Sequence, residues 1–233
     1  TYPPESFSDQ LDILNTNTGK WTQAAPRPIA AHGYELAKYN GKIYAFGGFM
    51  YSSEHKPRWK SSDLIDQYDP KTNQWTTVAR LPRPRSSNVV AVVGTKAYII
   101  GGWNSTPRFE KDYDGVFHRE IDVFDFETNT VSTLPYGLPD PLRRAFTGVV
   151  HQNKILLIGG LGQSATHFEL LANVTEFNPL TGEWKELSPL PFATFAPAAG
   201  IISNQLYVFG GMFKTGPQDY IYVNHIYAVS YTH

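Results

Sequence analysis

The chemistry this sequence can offer rests on arginines, histidines and a scatter of aromatic side chains. Arg85 and Arg144 could each grip a carboxylate through two parallel N–H bonds, or else be buried as structural donors to neighbouring carbonyls. His55, His118 and His167 stand singly in separate segments. They would form a metal or acid–base site only if the fold converged them, and packing or solvated roles are the alternative. Trp59, Trp103, Phe109 and Tyr113 lie among Tyr51, Arg58, Arg108, Phe117, Phe168, Phe213, Tyr220 and Tyr222, interleaved with Asn, Ser and Asp. Rigid apolar area beside directional donors suits recognition of a protein segment, and aromatic faces also stack on sugars. The competing reading is that these rings fill small cores within the loops.

Other signatures are weak or missing. Asp112-Tyr113-Asp114-Gly115 resembles a fragment of a calcium loop but lacks the downstream Glu, so no metal is expected. No paired-His zinc motif, phosphate-binding Gly loop or Gly-x-Ser-x-Gly elbow occurs. No cofactor is implied. With zero cysteines, disulfides, thiolate metal sites and cysteine nucleophiles are ruled out.

Bulk properties narrow the partners. Lys+Arg (20) nearly balance Asp+Glu (21), so no bulk field attracts nucleic acid or an anionic membrane. No apolar run is long enough to insert into a membrane as a helix. Charged residues are 18% and aromatics 14%, with 19 Gly and 17 Pro among 233 residues. Abundant rings and turn formers favour an all-β protein. The absence of cysteine and of an initiator Met fits a processed periplasmic or extracellular protein, with a cytoplasmic one as the alternative.

The elements that must position these residues are repeated. A Gly-Gly pair closes an apolar run four times, in Ile43-Tyr44-Ala45-Phe46-Gly47-Gly48, Ala97-Tyr98-Ile99-Ile100-Gly101-Gly102, Ile155-Leu156-Leu157-Ile158-Gly159-Gly160 and Leu206-Tyr207-Val208-Phe209-Gly210-Gly211. The period is roughly fifty residues. A second motif tracks it, as in Tyr68-Asp69-Pro70-Lys71-Thr72-Asn73-Gln74-Trp75, with relatives at 11–21, 121–131 and 174–184. Each unit parses into four short strands. In the second they are predicted near 88–93 (a), 97–100 (b), 121–125 (c) and 131–134 (d), with tight a–b turns such as Asn40-Gly41. The long b–c loops, 49–63, 103–119, 161–172 and 212–224, fall on one face with the d–a connections, and the candidate residues lie in them or at the starts of a strands.

This pattern resembles the Kelch repeat, from about Leu11 to Val229. The resemblance implies a β-propeller of four-stranded antiparallel blades around a channel. The units run about 27–82, 83–136, 143–191 and 195–230, in a single domain over 1–233. Residues 11–25 would close a ring of four sealed blades; a fifth blade or a part of a larger propeller are the alternatives. The family's strand-a arginine aligns with Arg85 and Arg144, with Ile29 and Thr194 at the matching places in the other units. Where the family has Pro and Trp in the second motif, the unit at 121–131 has Phe126 and Val131. The Gly-Gly pairs have no helix after them and are not dinucleotide fingerprints.

Two functions follow as expectations. One is a non-catalytic module that binds a protein segment or glycan through the b–c loop face, as most Kelch propellers do. The other is a sugar-processing enzyme of the sialic acid epimerase or mutarotase type. It would pair Arg85 or Arg144 with Glu110, Asp114, Glu169 or a loop histidine inside a closed pocket.

Overall fold

A computed structural model describes residues 3–163, 168–214, 220–222 and 226–230. After one turn of 3-10 helix (Pro4–Ser6) comes a lone hairpin, β1 (Leu11–Asn15) and β2 (Lys20–Ala24). The first sheet contains β3 (Glu35–Tyr39) and β4 (Lys42–Phe46); the ribbon β5 (Phe49–Tyr51) and β6 (Trp59–Ser61) leads to β7 (Leu64–Asp69) and β8 (Gln74–Arg80). The second has β9 (Val89–Val93), β10 (Lys96–Ile100), the ribbon β11 (Trp103–Asn104) and β12 (Val116–Phe117), then β13 (Glu120–Asp125) and β14 (Thr130–Gly137). The third follows with β15 (Arg143–Arg144), β16 (Thr147–His151), β17 (Lys154–Ile158), β18 (Leu161–Gln163), β19 (Phe168–Leu170), β20 (Val174–Phe177) and β21 (Trp184–Leu187). The last comprises β22 (Ala198–Ile202), β23 (Gln205–Phe209), β24 (Met212–Lys214), β25 (Tyr220–Tyr222) and β26 (Ile226–Ser230).

Three sheets are antiparallel and four-stranded, in the orders β3-β4-β7-β8, β9-β10-β13-β14 and β16-β17-β20-β21. The fourth runs β22-β23-β26. The b–c loops are not irregular throughout, because each starts and ends as a small ribbon standing beyond its sheet. β23 carries β22 on one edge and β26 on the other, so β1–β2 stands as a separate hairpin within the described residues. Its connection is tied to the first sheet: the Ala25 N–H donates to Asn73 Oδ1, and Trp75 Nε1 donates to the Ala25 carbonyl.

Burial explains the apolar b strands. β10 and β17 sit mid-sheet and lose both faces to neighbouring sheets, so they carry continuous apolar runs rather than alternation. Phe46 and Ile65 pack with Ile99 and Phe124 between the first two sheets. Ile100 and Ile121 meet Leu157 and Phe177 between the second and third, and Ile158 and Val174 meet Leu206 and Val208 between the third and fourth. Each such side chain contributes about 1.5–3 kcal/mol when fully buried. Trp184 stacks 4.5 Å from Phe177 at the edge of a core between sheets. Trp21, by contrast, is 66% exposed, because no described sheet covers the outer side of β1–β2. The unit at 121–131 has no Trp to pack, but Phe126 compensates by stacking 4.4 Å from Tyr39.

The Gly-Gly pairs stitch one sheet to the next. Gly47 and Gly48 have φ of 63° and 105°, and a Cβ on Gly47 would lie 2.2 Å from the Arg85 carbonyl oxygen. That closeness lets the Gly48 N–H donate to Arg85 O at 2.9 Å; Gly102 donates likewise to Arg143 O, and Gly160 to Thr194 O. An inner ladder runs parallel to it: Ser87 N–H to Gly33 O, Ala145 N–H to Ser87 O, and Ala196 N–H to Ala145 O. With β3, β9, β16 and β22 adjacent in that order, the architecture is a β-propeller of antiparallel blades.

Candidate functional site

The ladder residues Gly33, Ser87, Ala145 and Ala196 all have positive φ, between 50° and 57°, and so fix the register between blades. Two places before each stand Ala31, Arg85, Arg143 and Thr194. This corrects the sequence alignment: Arg143, not Arg144, is the counterpart of Arg85, and Ala31, not Ile29, occupies that place in the first unit. A run of two arginines hid the one-residue slip.

These inner arginines hold the scaffold. Arg85 is wholly buried, with Nη1 donating to the carbonyls of Ile99 and Gly101 and Nη2 to Asp122 Oδ2 at 2.7 Å. Asp122 also accepts from Arg83 and Thr133. Burial pushes the Arg85 guanidinium down to about 10 against the pull of Asp122, so it stays charged at neutral pH. Arg143 is equally buried; Nη1 reaches the Gly159 and Asn173 carbonyls and Nη2 reaches Thr175 Oγ1. In the first blade, Arg27 takes over from outside the motif, donating to Asp66 Oδ2 and to the Gly47 carbonyl. Arg27 and Arg143 went unnoticed in the sequence, and tandem or displaced arginines near a strand start were the available signal.

Successive side chains along a strand point to opposite sides, so burying Arg143 within the blade turns Arg144 to the side where the loop aromatics lie. The Arg144 guanidinium lies 3.9 Å from the Trp103 ring centroid, 4.6 Å from Phe168 and 5.9 Å from Phe117. Such cation–π contacts contribute about 0.5–2 kcal/mol each and hold a planar donor against the loop surface. Trp103 is almost entirely buried beneath it.

A second cluster joins the first two b–c loops. Trp59 Nε1 donates to the Ser105 carbonyl at 2.8 Å, the Ser61 N–H to Thr106 Oγ1 at 3.0 Å, and the Lys111 N–H to the Lys56 carbonyl at 2.9 Å. Tyr113, 55% exposed, meets Trp59 edge-on at 6.0 Å. Its turn is anchored by Asp112, which accepts from Arg108 Nε and Nη2 and from the Asp114 and Gly115 N–H groups. Those bonds hold the Asp112 carboxyl well below the usual range and account for the calcium-like sequence as an anchored turn. Tyr51, Lys56, Pro57, Arg58, Trp59 and Tyr113 line a cleft of about 360 Å³, together with Pro3 and Pro4. A neighbouring cleft of about 330 Å³ holds His55, Arg108 and Phe109, the last 63% exposed.

Of the candidate histidines, His55 and His118 are described and have different partners. His55 lies beside Ser52, with Nδ1 2.8 Å from Oγ. His118 is buried, its Nε2 bonded to the Pro84 carbonyl, and burial with the nearby Arg85 charge pushes it down to about 4. His167 lies outside the described residues. Glu35 is raised to about 7 by burial and lines an open cavity of about 530 Å³ with His32 and Tyr34. No sequence pattern singles out Glu35; its partial burial comes from the three-dimensional packing. Among the described residues the loop face therefore offers packed aromatic rings beside the guanidinium groups of Arg58, Arg108 and Arg144, a chemistry of recognition.

Comparison with known proteins agrees with this architecture. The model of the KLHDC2/KLHL20/DRC7 Kelch-repeats domain matches residues 1–211. The chain is 29% identical over 200 residues to Kelch-like protein terF of Aspergillus terreus, covering 84% of this chain and 42% of that protein. It is 27% identical to Beta-scruin of Limulus polyphemus (85% and 21% covered) and 25% identical to human Kelch-like protein 23 (87% and 32%). It thus spans less than half the length of these curated relatives. The solved structure of YjhT superposes with a TM-score of 0.76 at 20% identity, covering 95% of this chain and 82% of that one, which shows the fold.

Proposed function

The chain belongs to the Kelch-repeat family, and from that premise we propose that it is a non-catalytic protein-interaction module working through the b–c loop face. The observation that carries this is the half-buried Arg144 held against Trp103 and Phe168, together with the Trp59–Tyr113 pair that joins the first two b–c loops. Arg, Trp and Tyr dominate binding energy at protein interfaces, and here they stand on loops braced by ribbons and inter-loop hydrogen bonds. Membership of the Kelch-repeat family supports the same direction.

The test is a peptide-display selection on the purified chain, repeated with Arg144→Ala and Tyr113→Ala. We expect enriched peptides whose binding falls by at least about tenfold in one of the two variants. Peptides indifferent to both would remove the loop face from the reading. A glycan ligand would use the same rings, so a glycan array with the same variants separates the two ligand classes. For the sugar-enzyme alternative, Arg85 is buried against Asp122, its loop neighbour His118 is buried on the Pro84 carbonyl, and Arg144 packs on Trp103 and Phe168. That reading gains no support from the site geometry.

A further inference from the structure

The inner ladder is open at its first rung. Ser87, Ala145 and Ala196 each donate their N–H to the ladder carbonyl of the preceding blade, and the Gly33 carbonyl accepts from Ser87 at 2.7 Å. No described residue accepts the Gly33 N–H. An open backbone donor of this kind is a template for an extended segment. Gly33 lines the open cavity of about 530 Å³, which is also lined by Glu35, two places on, and by Ser8 and Gln10. Glu35 is half-buried, and no described residue bonds its carboxyl or faces it with a charge; burial alone raises it to about 7. The walls around it are held in place. His32 packs against Phe7 and Phe49, with ring centroids 4.9 and 5.6 Å away. The Arg27 guanidinium over the Tyr34 ring is committed to Asp66 and does not neutralise Glu35.

We propose that this cavity docks an extended segment of a partner protein, one of whose carbonyls accepts the Gly33 N–H while a neighbouring Lys or Arg side chain meets Glu35. The class of partner follows from what the cavity offers. Its backbone presents a donor that needs an acceptor, and its carboxyl stands partly out of water without a counter-charge. A bonded cation restores the ionised form that burial disfavours, and such a pair is stronger there than in open water. An anion would be repelled by Glu35, and a metal ion would find no cluster of ligating side chains among the described residues. The site is independent of the loop-face reading, since it shares no lining residue with the Tyr51–Trp59–Tyr113 cleft.

The experiment is a display selection of random heptapeptides on the purified chain, with counter-selection on Glu35→Gln. Peptides that survive it should carry Lys or Arg at one fixed position. By fluorescence anisotropy, the most enriched peptide should bind Glu35→Gln at least about tenfold more weakly than the parent chain. Replacing its basic residue by norleucine should weaken it equally, and the two changes together should cost no more than either alone, because they remove one contact. In hydrogen exchange followed by NMR, the Gly33 amide should slow at least about tenfold when the peptide is bound. Glu35→Gln keeps the shape of the side chain, and an intact urea transition will show that it folds. If no peptide discriminates against Glu35→Gln, or if those that do share no basic position, the proposal is overturned. A Gly33 amide that exchanges as fast with peptide as without it overturns the backbone docking. Basic peptides lost on Arg144→Ala but kept on Glu35→Gln would belong to the loop face, and would overturn the site described here while leaving that reading intact.

Discussion

His118 and Glu35 respond to pH in opposite senses, and the sign of each follows from which state holds the proton. His118 falls to about 4 in the fold, from an ordinary 6.5. Between those values the unfolded chain takes up a proton that the folded chain refuses, so its contribution to stability drops as pH falls from 6.5 toward 4. Glu35 rises to about 7 from an ordinary 4.5. There the folded chain keeps a proton that the unfolded chain has lost, and stability drops as pH rises from 4.5 to 7. Each slope approaches about 1 kcal/mol per pH unit once partial exposure is allowed for, so the two nearly cancel between about 4.5 and 6.5. Urea midpoints measured across that window should separate them. Relative to the parent chain, Glu35→Gln should make stability climb with pH, and His118→Gln should make it decline. Parallel curves for all three proteins would mean neither group is shifted as described. Neither shift was visible in the sequence, because a lone Glu in an a strand and a lone His in a loop carry no sign of what will cover them.

At the scale of the element, the Gly-Gly corner separates two demands that glycine meets together. Gly41, in the first a–b turn, has φ 73°, and a Cβ there would meet nothing within 4 Å. Gly47 has a similar φ of 63°, but its Cβ would collide with the Arg85 carbonyl that accepts from Gly48. Gly41→Ala therefore isolates the cost of the left-handed backbone, about 1 kcal/mol. Gly47→Ala adds a clash that must push two blades apart, and should cost at least about 3 kcal/mol in chemical denaturation. Equal losses at the two sites would show that backbone conformation alone explains the motif. This corner was the most legible element of the sequence, because a positive φ beside a close backbone approach leaves glycine few substitutes. The arginine two places before the ladder was less legible: Arg143 and Arg144 differ only in which side of the strand they face, and the ladder that decides it is formed with other blades.

For the molecule as a whole, strand order within a repeat could be read from spacing, while the place of the first hairpin and the meeting of loops could not. Contacts such as Trp59 with Ser105, or Arg144 over Trp103, join residues from different repeats, and periodicity within one repeat is silent about them. The same repeat logic makes stability a sum over neighbouring blades. Aromatic side chains thicken the first two inter-blade cores, with Phe46 and Phe124 in one and Phe146 and Phe177 in the other. The third core is wholly aliphatic among its buried members, and Ile202 and Ile226 on the fourth sheet are more than 60% exposed. Opening should therefore start at the fourth sheet. Native-state hydrogen exchange should find the amides of β22 and β23 protected by less free energy than those of β9 and β10, with Leu206→Ala widening the gap. The cleft between the first two blades should keep its peptide affinity in that variant, since its walls belong to the better-packed end. Uniform protection across all four sheets would instead mean that the inner backbone ladder, not side-chain packing, sets the cooperative unit.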